Sequence, residues 1–213
     1  MKRILLTVLS FLMLCSITAC STDDNGAKKQ PNDLLQPQTE TLTEADNSGT
    51  TQTDNENKAL IVYFSWSGNT QSAANEIKEQ TGADIFEIEA QTAYTDDYNR
   101  LLDIAKNEQD SNARPAIAKA VDNFEQYDVI YLGYPNWWGD MPMILYTFLD
   151  EYDFTGKTIA PFVTSGGSGF SNTINTIEKL EPNATVTKGL ALASSEAANC
   201  SSDVSQWLLS IGL

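Results

Sequence analysis

Short apolar runs alternate with stretches of helical periodicity from residue 58 to the end of the chain. Five runs have the length and the β-branched or aromatic composition of buried strands, at 58–65, 83–90, 127–135, 157–165 and 185–192. Each is followed by a segment with an amphipathic pattern that predicts a helix, at 70–82, 94–110, 141–152, 172–182 and 201–213. The pattern is therefore a strand followed by a helix, repeated along the whole domain.

This alternation predicts an α/β domain in which a parallel sheet carries helices on both faces. The runs at 127–135 and 157–165 are continuously apolar, as expected of strands that are buried on both faces. In such a sheet, ligands bind beyond the carboxyl ends of the strands, where the strand order reverses. The loops after the first, third and fourth strands are therefore the candidate site.

The first twenty residues are expected to be a targeting segment that is not part of the fold. Two basic residues precede an apolar run that is too short for a comfortable membrane span. The run ends in ITAC at 17–20, which resembles a bacterial lipobox, where cleavage precedes a cysteine that becomes lipidated. Lipidation of Cys20 would anchor the chain to a bacterial membrane on its extracytoplasmic side. An ordinary signal peptide cut near Ala19 is the alternative.

Composition divides the remainder of the chain at residue 57. Residues 21–57 have almost no large apolar side chains and a net charge of −6, so they are expected to form a disordered acidic tether. The domain at 58–213 carries nine basic and twenty-one acidic residues, a net charge of −12. This charge argues against nucleic acid and against docking of the domain on anionic lipid, and it permits a basic protein partner.

The chain has three cysteines and no histidine, which limits its chemistry. Cys15 belongs to the targeting segment and Cys20 would carry lipid, so Cys200 alone remains and no intramolecular disulfide is possible. Without histidine, no catalytic Cys–His pair can form. Cys200 is expected to be a thiol near a helix start with no catalytic task.

The first candidate loop, SWSGNT at 65–70, leads directly into a predicted helix. Around a turn at Gly68 it offers the polar side chains of Ser65, Ser67, Asn69 and Thr70. Such side chains, together with the N–H groups of a helix N-terminus, can surround a phosphate. The sequence lacks the lysine of a Walker A motif and does not fit the GxGxxG fingerprint. Ordinary capping of the helix by these residues is the alternative.

The second and third loops suggest a flat ligand. YPNWWGD at 134–140 contains two adjacent tryptophans. Because neighbouring side chains in an extended segment point in opposite directions, one indole is expected at the rim of a pocket. Packing of both indoles as structural bulk is the alternative. TSGGSGF at 164–170 lets backbone N–H groups approach the edge of a ligand, with a flexible turn as the alternative.

Together these motifs resemble the flavodoxin family, in particular its flavodoxin-like bacterial lipoproteins of the short-chain type. SWSGNT resembles the T/S-x-T/S-G-x-T phosphate loop of the family, and GYPNWWGDMP and TSGGSG resemble the two loops that flank its isoalloxazine ring. The resemblance covers nearly all of 58–213 in order and spacing. It implies a flavodoxin-like, doubly wound, five-stranded parallel sheet in the order 2-1-3-4-5, with FMN as cofactor. The run at 185–192 is expected to be an uninterrupted last strand.

The resemblance also implies a role for each loop. The first would hold the FMN phosphate, the second would lie against one side of the flavin, and the third would hydrogen-bond its pyrimidine edge. The residues implied to bind the cofactor are Ser65, Trp66, Ser67, Gly68, Asn69, Thr70, Pro135, Asn136, Trp137, Trp138, Gly139, Thr164, Ser165, Gly166, Gly167, Ser168 and Gly169. Trp66 is an extra aromatic residue to which the motif assigns no role.

Gly139 is expected to respond to the redox state, because in relatives a glycine peptide of the second loop turns its carbonyl toward flavin N5 on one-electron reduction. A residue without Cβ makes that change cheaply. The third loop lacks the tyrosine that often stacks on the flavin of electron carriers, and Phe170 is the nearest substitute. One flavin face is therefore expected to be open to a substrate.

The sequence thus predicts a membrane-anchored FMN redox protein that either carries electrons or reduces a quinone-like acceptor. The negative charge of the domain should disfavour the addition of electrons to FMN and lower its potential. The alternative is a non-redox, flavodoxin-like binding module that has lost its flavin.

Overall fold

The structure, a computed structural model, describes residues 58–213. The predictions for 1–20 and 21–57, including lipidation at Cys20, lie outside the described residues. Within 58–213, no helix has both the length and the apolar character needed to span a membrane. In the same range, no group of three or more histidine, cysteine, aspartate or glutamate residues is arranged to hold a metal ion.

Strands and helices alternate along the described residues, as the sequence predicts. The strands are β1 (Ala59–Tyr63), β2 (Asp84–Glu87), β3 (Val129–Pro135), β4 (Thr158–Ser165), β5 (Thr185–Val186) and β6 (Leu190–Ala193). The helices are α1 (Asn69–Thr81), α2 (Tyr98–Asp110), α3 (Met143–Glu151), α4 (Thr173–Leu180) and α5 (Ser201–Ile211). The predicted bounds differ from the observed ones by a few residues, except at the last strand.

All the strands pair in parallel, in the order β2-β1-β3-β4-β5, and β6 also pairs with β4. β5 and β6 follow one another along the same edge of β4, so together they fill the fifth position of the sheet. The predicted 2-1-3-4-5 order of a flavodoxin-like fold is confirmed. The order reverses between β1 and β3, and their carboxyl ends therefore border the crevice where such sheets bind ligands.

The two faces of the sheet carry separate apolar clusters. Leu60 and Val62 of β1 face a cluster that includes the buried sides of α3 and α4. Ile61 and Tyr63 face the opposite cluster, which includes the buried sides of α1 and α5. This alternation along one strand places helices on both faces of the sheet, as predicted.

The last strand is interrupted, which corrects the expectation of a continuous strand at 185–192. β5 ends at Val186 and β6 begins only at Leu190. Both segments keep a parallel register with β4, so the interruption does not change the topology.

A proline in the neighbouring strand explains the break. The Thr187 N–H donates to the Ile159 carbonyl at 2.9 Å. The next hydrogen bond of a parallel ladder would come from the N–H of residue 161, which is a proline and has none. The acceptor of that missing bond would be the Thr187 carbonyl. Within the break, the Trp207 indole N–H donates to the Lys188 carbonyl at 2.8 Å.

Cys200 lies immediately before α5, with 2% of its surface exposed. Burial raises the pKa of its thiol, and a protonated thiol is a poor nucleophile. Its position near a helix start agrees with the sequence-based expectation.

Candidate functional site

The carboxyl ends of β1, β3 and β4 lie side by side, and the loops that follow them border one cavity of about 570 Å³. The predicted residues that line it are Trp66, Ser67, Asn69, Pro135, Asn136, Trp137, Trp138, Thr164, Ser165 and Gly166. The predicted residues outside its lining are Ser65, Gly68, Thr70, Gly139, Gly167, Ser168 and Gly169. The structure thus brings all three loops to one cavity, although seven of the predicted residues do not line it.

The first loop leaves the N-terminus of α1 without a side-chain cap. The helix begins at Asn69 after Gly68, whose φ of 85° is left-handed, and no side chain bonds to its first N–H groups. The Ser72 N–H donates to the Gly68 carbonyl at 3.0 Å, so the N–H groups of Asn69, Thr70 and Gln71 precede the intrahelical ladder. Ordinary capping is therefore the wrong interpretation of this loop. Its N–H groups and the helix dipole are available to an anion.

The polar side chains of the first loop divide into two roles. Ser65 Oγ accepts a hydrogen bond of 3.2 Å from the Gly68 N–H and thereby shapes the turn. The Asn69 side-chain amide donates to Ser67 Oγ at 3.0 Å, and both residues line the cavity. Ser67 and Asn69 are therefore the side chains best placed to supplement the backbone N–H groups.

The third loop is hydrogen-bonded internally and is connected to the first. The buried hydroxyls of Thr70 and Thr164 share a hydrogen bond of 2.8 Å. Ser165 Oγ accepts hydrogen bonds from the N–H groups of Gly167 at 3.1 Å and Gly169 at 2.9 Å. These contacts favour a loop ordered by its own hydrogen bonds over a flexible turn. They also direct two of the N–H groups of the loop toward Ser165.

The second loop closes in a tight turn. Trp137 and Asp140 exchange two backbone hydrogen bonds of 2.9 and 3.0 Å across Trp138 and Gly139, whose φ values are 55° and 79°. Positive φ at both central residues is the geometry of a type I′ connection. Trp137 is half-buried and Trp138 is 53% exposed, so one indole does lie at the rim. The turn, and not the alternation of an extended strand, separates the two rings.

Trp137 packs edge-on against two aromatic rings behind the cavity. Its ring centroid lies 5.5 Å from those of Phe64 and Tyr94. The Tyr94 hydroxyl donates to Glu108 at 2.9 Å. Burial raises the pKa of Tyr94 and also that of Glu108, and the hydrogen bond from Tyr94 partly offsets the shift of the Glu108 pKa. These contacts fix the position of the Trp137 indole.

Asn136 connects the second loop to the third. Its side-chain amide donates to the Gly169 carbonyl at 2.8 Å and to Ser171 Oγ at 3.0 Å. Its Oδ1 accepts from the Gly139 N–H at 3.0 Å, and its own N–H donates to the Thr164 carbonyl at 2.9 Å. One side chain therefore holds the turn and the neighbouring loop in register.

Helix α2 forms a side of the cavity that the sequence analysis missed. Its lining residues are Tyr98, Leu101, Leu102 and Ala105. Their helical spacing is equally typical of a face packed on a sheet, so no local signal distinguishes the two uses. Ser194, after β6, is a further lining residue that was not predicted.

Two indoles attach the α2 region to the candidate loops. Trp66 donates from its indole N–H to the Thr95 carbonyl at 2.8 Å, and its ring lies 6.1 Å from that of Tyr98. Trp138 donates in the same way to the Leu102 carbonyl at 3.1 Å. Trp66, to which the motif assigned no role, therefore positions the segment that enters α2.

Phe170 does not replace the missing tyrosine of the third loop. Its ring does not line the cavity and packs edge-on against Tyr134, with 6.5 Å between centroids. A Cβ added to Gly189 would lie 2.3 Å from the Phe170 ring, so the ring fills the space over that glycine. The expectation that no aromatic ring of the third loop covers the site agrees with this geometry.

The cavity lining carries no charged side chain in the part of the chain that the structure describes. The surrounding domain nevertheless has a net charge of −12. Any anion held here must therefore be bound by N–H groups, hydroxyls and the α1 dipole, because the lining provides no ammonium or guanidinium group.

A parallel 2-1-3-4-5 sheet with three polar loops around one cavity defines the flavodoxin-like class of α/β proteins. The family model described as Flavodoxin matches residues 58–211. The chain belongs to the flavodoxin family.

Solved structures agree with this assignment. A Bacteroides eggerthii DSM 20697 protein, provisionally described as a flavoprotein, is 32% identical with a TM-score of 0.66, over 73% of this chain and 98% of its own. A Lactobacillus acidophilus NCFM flavoprotein in complex with FMN is 26% identical with a TM-score of 0.58, over 71% of this chain and 98% of its own. The comparison with curated proteins gives no match.

Proposed function

We propose that this chain is an FMN-binding redox protein that is anchored to a membrane. The observation that carries the proposal is the uncapped N-terminus of α1, which opens onto an uncharged cavity bordered by all three candidate loops. FMN, the cofactor predicted from the sequence, is supported by the family match and by the FMN complex of the L. acidophilus flavoprotein.

The residues present fit this cofactor. The first N–H groups of α1, with Ser67 and Asn69, suit its phosphate, and the loop of Trp137 and Trp138 suits its ring system. The third loop, with Gly166 at the cavity, suits its polar pyrimidine edge. Bound FMN supplies one- and two-electron transfer, while the chain binds it, orients it and limits its contact with water.

The charge of the domain should lower the reduction potential of the cofactor. The cavity lining has no cation to offset the negative charge that reduction adds, and the domain is itself strongly acidic. Because Phe170 packs away from the cavity, we propose that a small quinone-like acceptor can reach the cofactor. Delivery of electrons to a basic protein partner is the other form that this function could take.

The membrane anchor rests on the ITAC sequence that ends at Cys20. We expect Cys20→Ser to abolish incorporation of labelled palmitate and to move the protein from the membrane to the soluble fraction, because the acyl chains provide the anchor. A wild-type protein that is cut near Ala19 and carries no lipid would contradict this part of the proposal.

Binding of FMN is tested by titration of the cofactor-free protein, followed by flavin fluorescence and visible absorbance. We expect a yellow, saturable complex. Ser67→Asp should weaken FMN binding by about tenfold or more, because its carboxylate would face the phosphate. The matched control is Ser202→Asp, which places the same substitution at the exposed start of α5. A protein that is colourless after excess FMN has been removed would support the binding-module alternative instead.

The turn at Gly139 is expected to tune the one-electron reduction potential. Gly139→Val introduces a β-branched residue at a φ of 79°, which favours a different turn conformation. If the substitution changes the free-energy difference between the two turn conformations by about 1 kcal/mol, the one-electron reduction potential should shift by about 40 mV. Redox titration measures this shift.

Gly156→Val is the matched control for this titration. Gly156 has a φ of 76°, so its replacement by valine causes a similar backbone strain. It lies before β4, at the opposite end of that strand from the cavity, so this strain should not affect the reduction potential. Equal potentials in the wild-type protein and Gly139→Val would refute the role of Gly139.

A further inference from the structure

Three aromatic rings form a cluster behind the candidate cavity. The ring centroids of Phe64, Tyr94 and Trp137 are 5.5 Å apart in every pairing. Phe64 precedes the first loop, Trp137 belongs to the second, and Tyr94 lies in the segment that leads into α2. Of these three residues, only Trp137 lines the cavity. Because the rings are closely packed, a displacement of Tyr94 is transmitted to Trp137.

A single hydrogen bond holds the polar end of Tyr94. Its hydroxyl donates at 2.9 Å to the carboxylate of Glu108, near the end of α2. Glu108 is half-buried and lines a second cavity of about 230 Å³, which Tyr94 also borders. In the described part of the chain, this carboxylate accepts no other hydrogen bond. The position of the Tyr94 hydroxyl therefore depends on Glu108.

Glu108 has no cation to balance its charge within 58–213. It is the one charged residue that lines the second cavity, and Tyr94 is the one other titratable residue there. The basic residues on the surrounding segments form ion pairs elsewhere: Lys106 with Asp110, Arg114 with Asp150 and Lys119 with Glu89. Burial therefore raises the pKa of the Glu108 carboxyl, and the hydrogen bond from Tyr94 opposes this shift.

The strength of this hydrogen bond depends on whether Glu108 is ionised, because a carboxylate is a stronger acceptor than a neutral carboxyl group. It also depends on the freedom of the rings. A flavin placed against Trp137 would restrict that indole and, through packing, Tyr94. The hydrogen bond should be strongest when the site is loaded and Glu108 is ionised, so binding and ionisation favour each other.

We propose that Glu108 is a positioning residue of the FMN site, which acts on Trp137 through Tyr94 and strengthens FMN binding when it is ionised. The inference rests on the proposed function, because it concerns the same site. FMN affinity is highest above the Glu108 pKa and falls as the pH decreases through it, because protonation replaces a charged acceptor by a neutral one. By reciprocity, bound FMN lowers this pKa.

The first test follows the Trp137 indole N–H by NMR in the cofactor-free protein, with its signal assigned from its loss in Trp137→Phe. In the wild type, this signal should shift with pH at a pKa above the usual range of glutamate. The shift should disappear in Glu108→Gln, which keeps an acceptor but cannot ionise. It should also disappear in Tyr94→Phe, which keeps the ring and removes the donor.

The second test compares the FMN dissociation constants of the wild type and Glu108→Gln over the same pH range. The FMN phosphate itself titrates near a pH of about 6, so the measured quantity is the ratio of the two constants, from which that effect cancels. Glu108→Gln should bind FMN about fivefold more weakly well above the Glu108 pKa. The two constants should converge below it, because both acceptors are then neutral.

Glu181→Gln is the matched control for removal of a half-buried carboxylate. Burial, followed by repulsion from Asp150 and Asp153, raises the pKa of Glu181 to about 7. This residue directly follows α4 and lines neither of the two cavities. The variant should therefore keep both wild-type pH profiles.

Three results would overturn the proposal. A Trp137 signal that titrates equally in the wild type and Glu108→Gln would show that Glu108 does not act on this ring. An FMN affinity that Glu108→Gln lowers by the same factor at every pH would assign Glu108 a merely structural role. If the wild type does not bind FMN, the dissociation constants report failure of the proposed function, while the indole titration still shows whether Glu108 controls Trp137.

Discussion

A buried hydrogen bond between the hydroxyls of Thr70 and Thr164 determines how the candidate site is assembled. It joins the first turn of α1 to the carboxyl end of β4. In the sheet, β4 is separated by β3 from β1, the strand that precedes α1. Both residues are at most 3% exposed, so loss of either hydroxyl would leave the other without its partner in the interior. Asn136 then connects the second loop to the third. The three loops are therefore held in position by the protein itself.

The second constraint is the contrast between an acidic domain and an uncharged cavity. A lysine or arginine in the first loop would attract a phosphate but would also stabilise the negative charge of a reduced flavin. Here the N-terminus of α1 is left uncapped, so backbone N–H groups can bind the phosphate at one end of the cavity. An anion bound by these N–H groups would bring no cationic side chain into the cavity, which is consistent with the low reduction potential that we propose.

Features that are local in sequence could be predicted. The strand and helix pattern predicted a parallel sheet with helices on both faces, and the resemblance of three loops to the flavodoxin family implied the order of its strands. The composition of these loops indicated that they would meet at one site. Features that depend on distant residues could not. The break in the last strand results from Pro161 in the neighbouring strand, and the role of Trp66 depends on the position of Thr95. The apolar face of α2 has the spacing of any packed helix, so its place at the cavity had no sequence signal.

The two tryptophans of the second loop illustrate the same limit. Their adjacency indicated that one ring would lie at the rim, and Trp138 does so. The cause is a turn in which Trp138 and Gly139 both have positive φ. A glycine signals such a turn, but a tryptophan at positive φ is too uncommon to predict from sequence. The tertiary contacts of Asn136 and Leu102 are what hold this loop.

We infer that uncharged donors at the start of α1 bind the phosphate of FMN. The most direct measurement compares the dissociation constants of FMN and riboflavin, which differ only in that phosphate, for the same cofactor-free protein. Two charge-assisted hydrogen bonds of about 1.5 kcal/mol each predict that FMN binds about 100-fold more tightly. Affinities that agree within about threefold would contradict the account, because the phosphate would then contribute almost nothing to binding.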